Sequence, residues 1–299
     1  MFVLNVPTIS LEQTFRSGQY LRWHEVAKGA KYVVYSGDRV LKVEQHGKRL
    51  LFDCSQETFF SYWYDYFDIG FDYEHESAKV RAESSAVNYA AEINDKLHLI
   101  KQDPYDVLFT LALKGNARTS ANKAWDLVCH ACGERHRQGM KELGTLTWFE
   151  APKPEEIIWN EEWLDPQELG EWGVYQIVAI ANDLLEENYT VEKLQALVDA
   201  EDFNALEKIF ATYESLMGID WKEFALLCGC KRVWPKSHKV ELTVKRHEGM
   251  SVQEFLEWNL GPVPELTGLA YAYLRASGSK ALSALRRLKK DGKELPLWA

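Results

Sequence analysis

The chain has 299 residues, a formal net charge of −10, 46% hydrophobic residues and 13% aromatic ones, enough for two domains or for one large core with an appended sheet. No run approaches the roughly 18 uninterrupted apolar residues that mark a membrane span, and Met1-Phe2-Val3-Leu4-Asn5 lacks the basic-then-apolar pattern of a signal peptide. Five cysteines, an odd number, fit a reducing cytoplasm better than a disulfide framework.

The first 70 or so residues read as strands. Lys31–Tyr35 and Arg39–Val43 flank Ser36-Gly37-Asp38, a hairpin pattern, and a second turn at His46-Gly47 leads into Arg49-Leu50-Leu51-Phe52. From Gln56 the pattern turns helical and aromatic, with Phe59, Phe60, Tyr62 and Trp63. Beyond Ala82 the periodicity is helical and predicts no further hairpin. Asp103 caps a helix that begins with Pro104 and places Val107, Leu108 and Leu111 on one face. Pro154 with Glu155 and Glu156 opens another helix, Asp220 caps a third with Lys222 in its first turn, and Ser251 to Glu254 forms a capping box. The fold class is α+β, an N-terminal antiparallel sheet domain over 1–82 followed by an all-helical domain over 83–299.

Charge is unevenly spread. The stretch Glu155 to Glu171 is acidic, whereas Lys231, Arg232, Lys236, Lys239, Lys245 and Arg246 are opposed only by Glu241, and Lys280, Arg286, Arg287, Lys289, Lys290 and Lys293 follow. Such asymmetry permits a nucleic-acid face despite the negative total; solvated charged surface is the plainer reading of each run.

Read in order, these pieces resemble a microbial 8-oxoguanine DNA glycosylase. Phe15-Arg16-Ser17-Gly18-Gln19-Tyr20-Leu21-Arg22-Trp23 resembles that family's opening strand, and Ser36 to Val43 its second hairpin. Tyr62-Trp63-Tyr64-Asp65-Tyr66-Phe67-Asp68 resembles the segment that closes its sheet, and Ile100 to Leu108 the start of its next helix. Farther on, Leu266-Thr267-Gly268-Leu269-Ala270-Tyr271 resembles the late helix that lines its base pocket. The resemblance implies the glycosylase fold, double-stranded DNA as partner, and a base rotated out of the stack into a pocket.

It also implies a helix-hairpin-helix whose glycine amides hold a phosphate, a lysine that attacks the sugar, and an aspartate that supports the cationic transition state. Leu216 to Lys222 matches that hairpin, with Gly218 kept for DNA and Lys222 at the nucleophile position. The second hairpin glycine is replaced by Asp220, whose charge repels a phosphate, and the family's acid falls on Ser237, beside His238. Lys222 is equally readable as an exposed first-turn lysine. The DNA-probing loop matches Lys114 to Ser120, giving Asn116 a wedging role and Lys114 and Arg118 phosphate contacts; a capped helix junction is the alternative. Lys236 and Lys239 are further candidates for DNA. On the pocket side, Gly18 matches the glycine whose carbonyl reads the base, Gln19 lies next to it, and Tyr271 and Arg275 stand where the family has a glutamine and a stacking phenylalanine. An arginine there implies an anionic ligand group, with plain surface placement as the competing account.

Cys129-x-x-Cys132 near His136 and Cys228-x-Cys230 raise zinc, which needs four converging ligands. Both pairs fall in apolar helical stretches, so no metal and no other cofactor is expected; His24 and His98 read as surface residues. The departures at Asp220, Ser237 and Arg275 favour an enzyme that flips a base and modifies it without excision. The pattern fits the thymidine-hypermodification enzymes of bacteriophages, which transfer an amino acid or polyamine onto 5-pyrophosphomethyl uracil. A glycosylase/lyase using Lys222 is the first alternative, and a non-catalytic DNA-binding protein of the same fold the second.

Overall fold

The computed structural model describes residues 1–19, 22–82, 85–140, 143–235, 254 and 265–278. Five strands, β1 (Phe2–Asn5), β2 (Trp23–Ala27), β3 (Lys31–Ser36), β4 (Arg39–His46) and β5 (Arg49–Phe52), form an antiparallel sheet in the order β1-β5-β4-β3-β2. Ser36 pairs with Arg39 and His46 with Arg49. Gly37 (φ +56°) and Gly47 (φ +61°) open these two-residue turns, which need the left-handed backbone that glycine supplies.

One core lies against the sheet. Tyr32, Val34, Leu41, Val43, Leu50 and Phe52 bury against Phe15 of α1 (Leu11–Phe15) and against an aromatic helical segment. That segment runs through α2 (Gln56–Thr58), a π-turn (Phe59–Trp63) and α3 (Tyr64–Tyr66). Phe59, Trp63, Tyr66 and Phe67 recur along it at helical spacing, and all four are buried.

The helices α4 (Tyr73–Ala82), α5 (Ser85–Ile93), α6 (Pro104–Leu113), α7 (Ala121–Cys132), α8 (Pro154–Trp159), α9 (Pro166–Leu169), α10 (Glu171–Glu186), α11 (Val191–Asp199), α12 (Phe203–Met217), α13 (Trp221–Leu227) and α14 (Thr267–Ser277) build a second core. The chain crosses between the cores more than once: Tyr73 and Val80 belong to the helical core, and Ile100 returns to the sheet core. Asp103 caps α6 as expected, its carboxylate accepting from the amides of Tyr105 at 2.9 Å and Asp106 at 3.1 Å. The single apolar face expected for α6 is corrected to burial all round from Asp106 to Leu113, because α7, α10, α11 and α13 surround it.

Two other expectations are overturned. The stretch expected to be wholly helical contains a hairpin, β6 (Arg135–Met140) and β7 (Gly144–Phe149). Its first strand alternates in exposure but not in polarity: Arg135, Arg137 and Gly139 face water while His136 and Gln138 turn partly inward, so hydrophobic periodicity misses it. The hairpin docks on the sheet through the Arg22 guanidinium, which donates to the Phe149 carbonyl at 2.7 Å, and through the Ala151 amide, which donates to Gly37 at 2.9 Å. The capping box at Ser251 lies mostly outside the described residues.

The second overturned expectation is His98, placed at the surface by the sequence and found fully buried. Its ring stacks on Tyr73 at 3.8 Å, its Nδ1 lies 3.1 Å from the Phe67 carbonyl and its Nε2 3.2 Å from the Thr8 hydroxyl. Burial pushes its pKa down to about 4. A histidine held neutral contributes stability that is present above its unfolded pKa, near 6.5, and lost as pH falls through the folded value. Thermal melts are therefore expected to drop between about pH 6.5 and 4. In His98→Gln the melting temperature is lower throughout, but its slope over that window is flatter; an unchanged slope refutes the assignment.

Gly268 opens α14 in a close approach to the segment before it. A Cβ there would sit 2.7 Å from the Lys231 carbonyl oxygen and 2.8 Å from its carbon, while the Gly268 amide donates to that same oxygen. Backbone atoms cannot swing aside, so Gly268→Ala is expected to cost about 1–3 kcal/mol, read from urea midpoints. A change below about 0.5 kcal/mol would mean that α14 slides freely.

Candidate active site

α12 and α13 form a helix-hairpin-helix joined by Gly218, Ile219 and Asp220. Gly218 is exposed and left-handed at φ +70°, and its amide donates back to the Glu214 carbonyl at 3.1 Å. The Ile219 amide likewise donates to Tyr213 at 3.3 Å, so both hairpin amides serve the end of α12. Asp220 is buried, and its carboxylate accepts from the Lys222 amide at 3.0 Å. That carboxylate fills the helix start where a phosphate would otherwise be met. Lys222 is half-buried, its ammonium 5.5 Å from the ring centroid of Trp221.

The residue after Lys222 organises the site, and the sequence reading missed it. Glu223 is buried, and both its carboxylate oxygens accept from Lys114 Nζ, at 2.8 and 2.7 Å. Its Oε1 also lies 3.4 Å from the Arg275 guanidinium. Gly18, left-handed at φ +84°, packs beside the same arginine: a Cβ there would lie 3.6 Å from Arg275 Nε. Gly18, Lys114, Glu223 and Arg275, from four distant parts of the chain, thus form one cluster of two cations around one carboxylate. An acid in the first turn of a helix reads as ordinary dipole compensation, which is why nothing in the sequence marked Glu223.

Other predicted residues take different positions. Gln19, expected beside the substrate, is hydrogen-bonded within the chain. Its Nε2 donates to the His98 carbonyl at 2.5 Å and its Oε1 accepts from the Ile100 amide at 3.3 Å, so the side chain braces the 98–100 segment. Tyr271 is fully buried, edge-on to Trp234 with ring centroids 5.4 Å apart, one helical turn before Arg275 on α14. Asn116, expected to wedge into DNA, turns inward instead. Its amide donates to the Ala112 carbonyl at 2.9 Å and meets the Gln176 amide at 2.7 Å. Lys114 and Arg118 are both exposed, but the Lys114 ammonium is engaged by Glu223.

Two aromatics beside that loop were also missed. Trp172 and Tyr175, at the start of α10, are 50% and 58% exposed and stack on each other at 4.9 Å. Between them lies Gly173, where a Cβ would come within 3.4 Å of the Leu113 side chain and 3.6 Å of the Asn116 Cβ, so α10 runs close against the loop. Ser237, His238, Lys236 and Lys239 lie outside the described residues. Of the basic run, Lys231 pairs with Asp68 at 2.9 Å, and Arg232 pairs with Glu201 at 2.9 Å and Glu265 at 2.6 Å.

Cys129, Cys132, Cys228 and Cys230 are buried in the helical core and packed as small apolar side chains. Burial pushes the Cys132 thiol up to about 11, away from the thiolate that a metal needs. Among the described residues, potential ligand atoms gather at Glu134, His136 and Glu150, where His136 Nε2 already lies 2.9 Å from a Glu150 oxygen. No helix among the described residues is long and apolar enough to cross a membrane.

Residues 1–108 match the family profile of the 8-oxoguanine DNA glycosylase N-terminal domain. No curated protein matches the chain. Among solved structures, MBOgg1 in complex with a low affinity DNA ligand is similar at 22% identity and a TM-score of 0.77, covering 93% of this chain and 95% of that one. The Clostridium acetobutylicum 8-oxoguanine glycosylase/lyase, solved with dsDNA containing cytosine opposite 8-oxoG, aligns at 16% identity and 0.76 over 95% and 99%. The 3-methyladenine DNA-glycosylase from Archaeoglobus fulgidus aligns at 13% and 0.65 over 93% and 98%. These likenesses establish the glycosylase fold across the chain.

Proposed function

We propose that this protein is a base-flipping DNA enzyme that modifies its target base without excising it. The reaction is transfer of an amino acid or amine onto 5-pyrophosphomethyl uracil with loss of pyrophosphate. The observation that carries the reading is the Lys114–Glu223–Arg275 cluster beside Gly18. A site that stacks a neutral purine gains from an aromatic wall; this cluster offers two cations and a carboxylate.

The chemistry matches that inventory. The amine lone pair forms a C–N bond to the 5-methylene carbon as the C–O bond to pyrophosphate breaks, and that electron pair leaves with the pyrophosphate. Arg275 stabilises the leaving anion, while Lys114 holds the Glu223 carboxylate in place. Glu223 binds the incoming ammonium and takes the proton that the amine must lose. A serine at position 237, where the resemblance places the family's aspartate, carries no charge to support a sugar cation, and this favours sparing the glycosidic bond. DNA is held by Arg118, with Trp172 and Tyr175 as a stacking surface for bases. Soluble cytoplasm is the compartment this chemistry suits.

A second reading rests on Lys222, a half-exposed amine in the first turn after the hairpin, which suits a glycosylase/lyase. One assay separates the two. The protein is incubated with a duplex bearing 8-oxoguanine, and with one bearing 5-pyrophosphomethyl deoxyuridine plus an amino-acid mixture. The proposal expects a nucleoside mass gain on the second duplex and no strand nicking on the first. Borohydride trapping on the first duplex, lost in Lys222→Ala, overturns it in favour of excision. Silence on both overturns it in favour of a DNA reader.

A further inference from the structure

We infer that the surface of α8, the 3-10 turn Glu161–Trp163 and α9 is a docking site for a lysine- and arginine-rich segment of a partner protein. Trp159 and Trp163 are 75% and 67% exposed, the most exposed large apolar side chains among the described residues. They are held outward on an anchored backbone. Ile157 and Leu164, close to them in sequence, are buried in the helical core. The Glu156 carboxylate accepts from the Lys153 amide at 2.7 Å, and Asp165 from the Gln167 amide at 2.8 Å, fixing the starts of α8 and α9.

The indoles stand in a strongly acidic field. From Pro154 to Tyr175 the chain carries Glu155, Glu156, Glu161, Glu162, Asp165, Glu168 and Glu171, and no lysine, arginine or histidine. Glu161, Glu162, Asp165 and Glu168 are exposed, and among the described residues none of the seven carboxylates is in a salt bridge. Exposed indoles that serve no core are a feature of interaction sites.

Charge selects the occupant. A DNA backbone is repelled by this face. A second copy related by a two-fold axis sets the acidic patch against itself, which costs energy at every pair. A basic polypeptide gains twice, from the carboxylates and from cation–π contact of Lys or Arg with the indole faces.

The test uses the full chain and a fluorescein-labelled peptide of lysine, arginine and glycine, with binding followed by anisotropy at about 0.15 M salt. Wild type is expected to bind it and to ignore a glutamate-rich peptide. The double variant Trp159→Ala/Trp163→Ala keeps every carboxylate and is expected to bind about tenfold more weakly or worse. Glu161→Gln/Glu162→Gln supplies a second, independent weakening. Equal binding by the indole-free variant reduces the effect to bulk charge and overturns the proposal. So does failure of wild type to bind, loss of duplex DNA affinity in the indole-free variant, or a self-associated wild type that the same substitutions dissociate in sedimentation.

Discussion

Under the proposed transfer reaction, Arg275→Ala is expected to lower turnover of the pyrophosphate-bearing pyrimidine by about 10²–10³-fold, the usual consequence of deleting one donor to a developing negative charge. The guanidinium is 23% exposed at the site, and its contact with Glu223, at 3.4 Å, is longer than the Lys114 pair at 2.7 Å. Arg275 therefore keeps donors for a ligand, while Lys114 holds the carboxylate. Arg275→Lys restores little, because a lysine cannot present the planar fork to two phosphate oxygens. Glu223→Gln behaves differently. It releases both cations, so KM for the anionic substrate falls, yet kcat falls too, because the proton acceptor for the amine is gone. Nucleoside mass spectrometry over a time course reads both variants, and melting curves verify that they fold. An Arg275→Ala enzyme within about threefold of wild type would remove Arg275 from the chemistry.

The features legible in the sequence are those fixed by neighbours along the chain. Ser36-Gly37-Asp38 and His46-Gly47 announce their turns because a two-residue loop needs positive φ at its first position. Asp103-Pro104 announces α6 because cap and first turn are adjacent. Gly18 and Arg275 are paired through the resemblance, and the structure does bring them together. Features set by contacts between distant segments were not legible. Glu223 matters only because the C-terminal end of α6 delivers Lys114 and α14 delivers Arg275. Gln19 and Asn116 carry the same amide whether it faces a ligand or a neighbouring carbonyl, and no local pattern distinguishes the two. The β6–β7 hairpin escaped because its inward positions include His136 and Gln138, which carry no apolar signal.

Arg22 belongs to the opening motif that resembles the glycosylases, and its place explains why a charge is buried there. Only 3% of its side chain is exposed. Nε donates to Asp126 at 3.1 Å, Nη2 donates to the Phe149 carbonyl at 2.7 Å, and Nη1 lies 3.5 Å from Asp106. Asp106 in turn accepts from the Gly37 amide at 2.7 Å and from the Trp125 indole at 2.5 Å. One guanidinium thus ties the β3–β4 turn, α6, α7 and the β6–β7 hairpin together. Arg22→Met removes the charge while keeping a long apolar side chain, leaving Asp106 buried with neutral donors only. The expected loss is about 3–5 kcal/mol, the cost of breaking a buried pair from one side. Adding Asp106→Asn to Arg22→Met removes the stranded charge, and urea midpoints for the four proteins of that cycle should recover part of the loss. If Arg22→Met alone falls within about 1 kcal/mol of wild type, the two layers are held by their apolar cores and the arginine only orients them.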